Sequence, residues 1–197
     1  MSVGSVRSQL RSQLRESVST AILEAAEDLI AAKGLQGAPL AQIAKKAGVA
    51  VGTLYNYFED RDALIRALFE MRRATLRPQL RAAISEHAEL PFEQRLRVFL
   101  ADVFQVFEAH RKFIKVMIET EHVKLAPTPN DLGTAVGELV KAGVKEKVIA
   151  SQAAEVLPLI ILGGVKALVL RRMAENAKLE AADAETLVSI FLDGARK

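Results

Sequence analysis

The stretch from Leu40 to Phe58, LAQIAKKAGVAVGTLYNYF, holds the residue types in this chain best suited to reading a polyanion. Two short helices that meet at a steep angle need a small residue where their backbones cross, a residue tolerant of positive φ at the turn, and apolar side chains to close the wedge. Ala44, then Gly48, then Ile43, Val49 and Leu54 meet those needs. At helical spacing the second helix turns Gly52, Thr53, Tyr55 and Asn56 outward while Leu54 and Phe58 face in. An outward surface of glycine, hydroxyls and an amide, flanked by Lys45, Lys46 and Arg61, suits the base edges of a DNA major groove. The same Ala-Gly spacing also occurs in ordinary helical hairpins, so spacing alone leaves both readings open.

Other chemistries are poorly supplied. The absence of cysteine excludes disulfides, thiolate metal sites and cysteine nucleophiles together. His110 and His122 flank one predicted helix near Glu119 and Glu121, but only Glu119 and His122 share a face, and no second pair completes a ligand set. Gly163-Gly164 has neither a strand before it nor a lysine-serine pair after it, unlike a phosphate loop, and no serine stands at a strand-turn-helix elbow. No metal, cofactor or catalytic residue is expected.

Charge is unevenly distributed. Up to Arg81 there are 12 Lys and Arg against 8 Asp and Glu, and beyond it 15 against 16, so the net +3 of the 197-residue chain arises at its N-terminal end. A basic segment joined to a near-neutral one suits a chain that meets a polyanion with one end, the alternative being a solvated charged face. No secretory signal pattern opens the chain. The longest uncharged apolar run, Val156 to Val165, falls far short of the roughly 20 residues needed to cross a bilayer, and a cytoplasmic protein is expected.

The elements that must position these residues are helical throughout. Val18, Ile22, Ala25, Ala26, Leu29 and Ile30 make one stripe closed by Gly34-Leu35, a left-handed cap with a hydrophobic residue behind it. Pro39 opens a short helix that stops at Gly48, a third begins at Val51, and Asp60 caps a fourth over 61–88 that Pro78 must kink or break. Five more follow. Pro91 opens one, another ends near Pro127 and Pro129, a third runs from Asp131 to Ala142 and is ended by Gly143, a fourth from Ser151 to about Met173 with Pro158 in its path, and the last over roughly Asp183 to Ala195. The pattern predicts an all-α, nine-helix fold: a basic arm over 1–16, a helix-turn-helix domain over 17–62, and a larger helical domain over 63–197.

The segment from Ile22 to Met71, and IAKKAGVAVGTLYNYFEDRDAL within it most of all, closely resembles the DNA-binding region of the TetR family of transcriptional regulators. The resemblance implies a homodimeric repressor that binds a palindromic operator and is released by a small molecule held in its C-terminal domain. Carried over residue by residue, it puts Thr53 and Tyr55 at the DNA, Tyr57 and Arg61 at the phosphates, and Val51 and Gly52 toward the groove. Ala38-Pro39 and Ala50 stand where the family usually has hydroxyl caps, and Arg61 where it usually has lysine. A DNA-binding adaptor or nucleoid protein without an effector is the alternative.

Three further features complete the reading. Arg7, Arg11 and Arg15 fall four apart and, if the arm is helical, form one basic stripe suited to lie along or reach into a DNA groove, although a solvated, partly frayed terminus is the expected state. Helical spacing turns Phe99, Val103, Phe107, Met117, Leu157 and Ile161 toward a shared apolar interior, suiting a largely apolar effector whose polar end His110 or Glu121 would orient. Val156, Ile160, Ile161, Leu168 and Val169 wrap more than one face of the eighth helix, and Leu187, Ile190 and Phe191 add a stripe on the ninth. Pairing these helices with their two-fold copies gives a four-helix dimer interface with Gly163 and Gly164 near the crossing.

Overall fold

A computed structural model describes residues 3–85, 87, 89–120 and 131–195. Among them are nine α-helices: α1 (Val3–Lys33), α2 (Leu40–Lys46), α3 (Val51–Tyr57), α4 (Arg61–Ser85), α5 (Phe92–Ala109), α6 (Arg111–Glu119), α7 (Asp131–Lys145), α8 (Leu157–Ala174) and α9 (Ala181–Ala195). They fall into two compact units. The first takes in residues up to Arg73 and resumes at Lys112, and the second holds 74–111 and the chain from α7 onward. The division therefore lies within α4 rather than ahead of it, and α6 belongs to the N-terminal unit.

In the first unit α1 packs on α2 and α2 on α3. The core holds Ile22, Ala26 and Ile30 from α1, Ile43 and Ala44 from α2, Leu54 from α3, and Leu64, Ile65 and Leu68 from α4. Phe69 of α4 meets Phe113 of α6 edge to face, with ring centroids 5.2 Å apart. Gly34 and Gly48 both take φ of +72°, the left-handed conformation in which a Cβ is costly. After Gly48 the Val49 amide donates to the Ala44 carbonyl at 3.0 Å, the closing bond of a Schellman cap. A Cβ at Gly48 would meet nothing within 4 Å, so conformation rather than space selects glycine there. Asp60 caps α4 as its position predicts, accepting from the Ala63 amide at 2.6 Å.

The second unit packs α5 against α7 and α9, and α8 against α7 and α9. Phe92, Leu96, Phe99, Leu100 and Val103 fill it from α5, Val136 and Val140 from α7, Leu157, Ile161 and Val165 from α8, and Val188 and Leu192 from α9.

Four elements differ from expectation, each for a physical reason. The N-terminal arm is not frayed: α1 is helical from Val3, because its C-terminal half is anchored in the core and adding turns to an existing helix needs no new nucleus. Pro78 does not break α4, which runs through it unbroken. The carbonyl its missing N–H leaves free is that of Ala74, which is exposed and can turn to water. Gly143 does not end α7, which continues to Lys145. A Cβ there would come within 2.7 Å of the Phe92 ring, so this glycine serves close packing of α7 on α5. The eighth helix starts at Leu157 behind a short 3-10 turn over Ser151–Ala153, with Pro158 in its first turn, where a missing N–H costs nothing.

Candidate nucleic-acid interface

The wedge of α2 and α3 orients the candidate residues. Leu54 is fully buried and Phe58 nearly so, which rolls the opposite side of α3 outward. Val51 and Tyr55 remain 41% and 52% exposed. Gly52 and Asn56 are exposed beside them, and Thr53 and Tyr57 are half-buried at the flanks. A Cβ at Gly52 would meet nothing within 4 Å, so this side of α3 is unobstructed. Neither Pro39 nor Ala50 makes a side-chain cap bond at the start of α2 or α3.

Two of the cations expected at phosphates are engaged within the protein. The Arg61 guanidinium donates to the carbonyls of Leu35 and Ala38 at 3.3 and 3.4 Å, and so holds the α1–α2 connection closed. Lys46 pairs with Asp28 of α1 at 3.2 Å. Asp28 also accepts from Lys112 of α6 at 2.7 Å, so one carboxylate ties three helices. The hydrogen bond from Lys112 holds the Asp28 carboxyl below its ordinary value, with burial opposing and Lys46 reinforcing, and the same bond raises the Lys112 ammonium. Lys45 of α2 is exposed.

Spacing alone did not single out two contacts. Glu27 of α1 is buried and accepts from Arg72 of α4 through Nε at 2.7 Å and through Nη2 as well. Both fall on core-facing stripes, Glu27 with Leu23 and Ile30, Arg72 with Leu68 and Phe69, so two opposite charges at inward positions were the available signal. The second contact is Arg15, whose guanidinium lies 5.6 Å from the Tyr57 ring centroid and so joins the arm to the end of α3.

Residues 22–68 match the family model of the bacterial regulatory proteins of the tetR family. The likeness to the TetR family of transcriptional regulators is carried by that N-terminal segment. This chain is 36% identical over 93 residues to the HTH-type transcriptional regulator YvdT of Bacillus subtilis (strain 168), a match covering 47% of each protein. It is 32% identical over 83 residues to the fatty acid metabolism regulator protein of the same organism, covering 35% of this chain and 43% of that protein. The chain thus matches less than half the length of these relatives. Over whole chains, FadR from Bacillus subtilis in complex with stearoyl-CoA shares the fold, with a TM-score of 0.73 at 16% identity over 90% of this chain and 99% of that one. FadR from Bacillus halodurans does so with a TM-score of 0.71 at 23% identity, over 90% and 99%.

The candidate effector residues do not all share one interior. Phe99, Val103, Leu157 and Ile161 are buried in the second unit, with Phe107 and His110 half-buried. His110 is the residue after α5, and its Nε2 lies 3.4 Å from Gln79 Nε2. Met117 departs from expectation: it belongs to the other unit and is 42% exposed, because Phe113, Ile114 and Val116 form the inward side of α6. Glu121 and His122 lie outside the described residues.

The candidate dimer residues also divide. Ile160 and Ile190 are 52% and 62% exposed, and Val156 and Leu159 beside them are exposed too. Phe191, by contrast, is buried within the chain itself. A Cβ on Gly164 would stand 2.8 Å from the Phe191 ring, so Gly164 serves the α8–α9 contact inside the chain. Leu168 and Leu187 are half-buried. Gly163 is exposed, and a Cβ there would meet nothing within 4 Å. An apolar hollow of about 360 Å³ opens on this face, lined by Val156, Leu157, Ile160, Ile190 and Phe191 among others. Among the described residues no helix is long and apolar enough to cross a membrane.

Proposed function

We propose that the chain is a sequence-specific DNA-binding transcriptional repressor that acts as a homodimer on a palindromic operator and is released by a small, largely apolar effector. The observation that carries the DNA reading is the orientation of α3. Its fully buried Leu54 commits Val51, Gly52, Tyr55 and Asn56 to an unobstructed surface within the segment that matches the tetR-family model. Thr53 and Tyr57 flank that surface, Tyr57 on the phosphate side. Arg61 and Lys46 support the domain rather than the DNA, since their charged groups are held by Leu35, Ala38 and Asp28.

The exposed face of Val156, Leu159, Ile160, Gly163 and Ile190 supports the dimer, because an apolar face of that kind is ordinarily covered by a partner. A two-fold pair then offers two recognition helices to two half-sites. The apolar core of the second unit supports the effector reading, as do the fatty acid metabolism regulator among the relatives and the stearoyl-CoA complex among the shared folds.

The test is selection of duplexes from a random pool, followed by fluorescence anisotropy on the enriched sequence. Tyr55→Ala is expected to cost about 1–3 kcal/mol on that duplex while changing affinity for random DNA little. Equal binding of all duplexes by the wild-type protein would reject the reading. Titration of stearoyl-CoA into the complex tests release, with no change in anisotropy counting against an acyl effector.

A further inference from the structure

Two structural facts bear on the arginine stripe of the N-terminal arm. The arm is the first part of one continuous helix, so Arg7, Arg11 and Arg15 are presented along one exposed side and not scattered on a coil. Its basic stripe is also registered against the recognition helix, because the Arg15 guanidinium packs on the ring of Tyr57, the last residue of α3. At 1.5 Å per residue, Arg11 lies about 6 Å and Arg7 about 12 Å further along the axis from that contact. No Asp or Glu precedes Glu16, so the exposed turns carrying Arg7 and Arg11 hold no acidic side chain.

We propose that the N-terminal turns of α1 form a second DNA-contacting element, in which Arg7 and Arg11 bind the phosphates flanking the half-site that α3 reads. The inference rests on the DNA-binding reading above and adds a surface to it. Charge complementarity selects the partner: a duplex carries one phosphate charge per roughly 1.7 Å of axis, so a helical row of cations spaced about 6 Å apart meets phosphate along its whole length. Planar guanidinium groups can also hold phosphate oxygens in bidentate fashion. Contacts of this kind position the protein and add affinity without reading sequence.

Val6, Leu10 and Leu14 are exposed on a neighbouring stripe of the same turns, which makes a protein partner the competing occupant. The continuous run of arginine beside Tyr57 favours DNA over it. Leu10 and Leu14 are 60% and 67% exposed, so replacing them removes little packing from the DNA-binding unit.

The experiment uses the full-length protein on its selected operator, as a long duplex and as one trimmed to the half-sites. Arg7→Gln/Arg11→Gln is expected to make the slope of log affinity against log salt shallower by about 2 per bound protomer, since each lost phosphate contact removes about 0.9. Sequence preference is expected to stay as in the wild type. Trimming the flanks is expected to weaken the wild-type protein and leave the double variant unchanged. Arg7→Lys/Arg11→Lys, which keeps the charge, is expected to retain the wild-type slope. A double glutamine variant with unchanged slope and unchanged dependence on flank length overturns the proposal. So does loss of binding or of self-association on Leu10→Ser/Leu14→Ser with no effect of the arginine changes, which would assign the arm to a protein partner. If the wild-type protein enriches no duplex, the DNA-binding reading fails and this inference falls with it. If it enriches one and the arm variants match it, only the arm is refuted.

Discussion

The adjacent glycines of α8 should respond in opposite ways to the same substitution. Replacing a mid-helix glycine with alanine gains about 1 kcal/mol from backbone entropy wherever the new methyl group fits. At Gly163 it meets nothing within 4 Å, so Gly163→Ala should stabilise an isolated protomer by about that amount. At Gly164 the methyl carbon would stand 2.8 Å from Phe191 Cζ and 3.4 Å from its Cε1, and the ring is buried and has little room to yield. Overpacking of this kind costs about 1–3 kcal/mol, which cancels or exceeds the helical gain and leaves Gly164→Ala about 1–3 kcal/mol below Gly163→Ala. The assay is urea unfolding followed by circular dichroism over a hundredfold range of protein concentration, because the proposed dimer would make stability concentration-dependent. Gly164→Ala should show no gain, or a loss, at every concentration. Gly163→Ala should gain it when dilute and lose that gain when concentrated, where a partner backbone approaches the exposed glycine. A Gly164→Ala protein as stable as Gly163→Ala under dilute conditions would refute the packing argument. A Gly163→Ala gain that is independent of concentration would refute the close crossing.

Two further outcomes concern the N-terminal unit. Arg72→Met should destabilise the protein by about 3–5 kcal/mol by leaving the Glu27 carboxylate buried and unpaired, and Glu27→Leu/Arg72→Met should recover most of that loss in the same unfolding assay. The Asp28 carboxyl is held below the 3.8 of an unfolded chain, so its contribution is complete above pH 3.8 and is lost as the pH falls through its lower folded value. The difference in urea midpoint between wild type and Asp28→Asn should therefore be constant near neutrality and shrink only once the pH is taken below 3.8, whereas a difference that faded nearer neutrality would contradict the Lys112 and Lys46 pairing.

Features that depend on neighbours in the chain were legible in the sequence. Helical periodicity gave nine elements, Gly34 and Gly48 marked left-handed caps, Asp60 marked the start of α4, and Leu54 with Phe58 fixed which side of α3 turns outward. All of these are set by steric and hydrogen-bonding rules acting over three or four residues, so a linear reading contains the information.

What only the tertiary structure decided depends on groups far apart in the chain. Arg61 and Lys46 look identical in sequence to free phosphate ligands, and it is the Leu35 and Ala38 carbonyls and the Asp28 carboxylate, brought up by folding, that engage them. Met117 carries the same apolar label as Val116, yet which of the two faces inward follows from where Phe69 of α4 meets α6 beside Phe113. Gly163 and Gly164 are equivalent as letters and differ by about 100° around α8, which puts one against Phe191 and the other in the open. Arg15 became more than a charge on a terminal arm only when the turn after Gly48 carried Tyr57 beneath its guanidinium. Residue type fixes what a side chain can do, and the packing of the helices fixes which groups it meets.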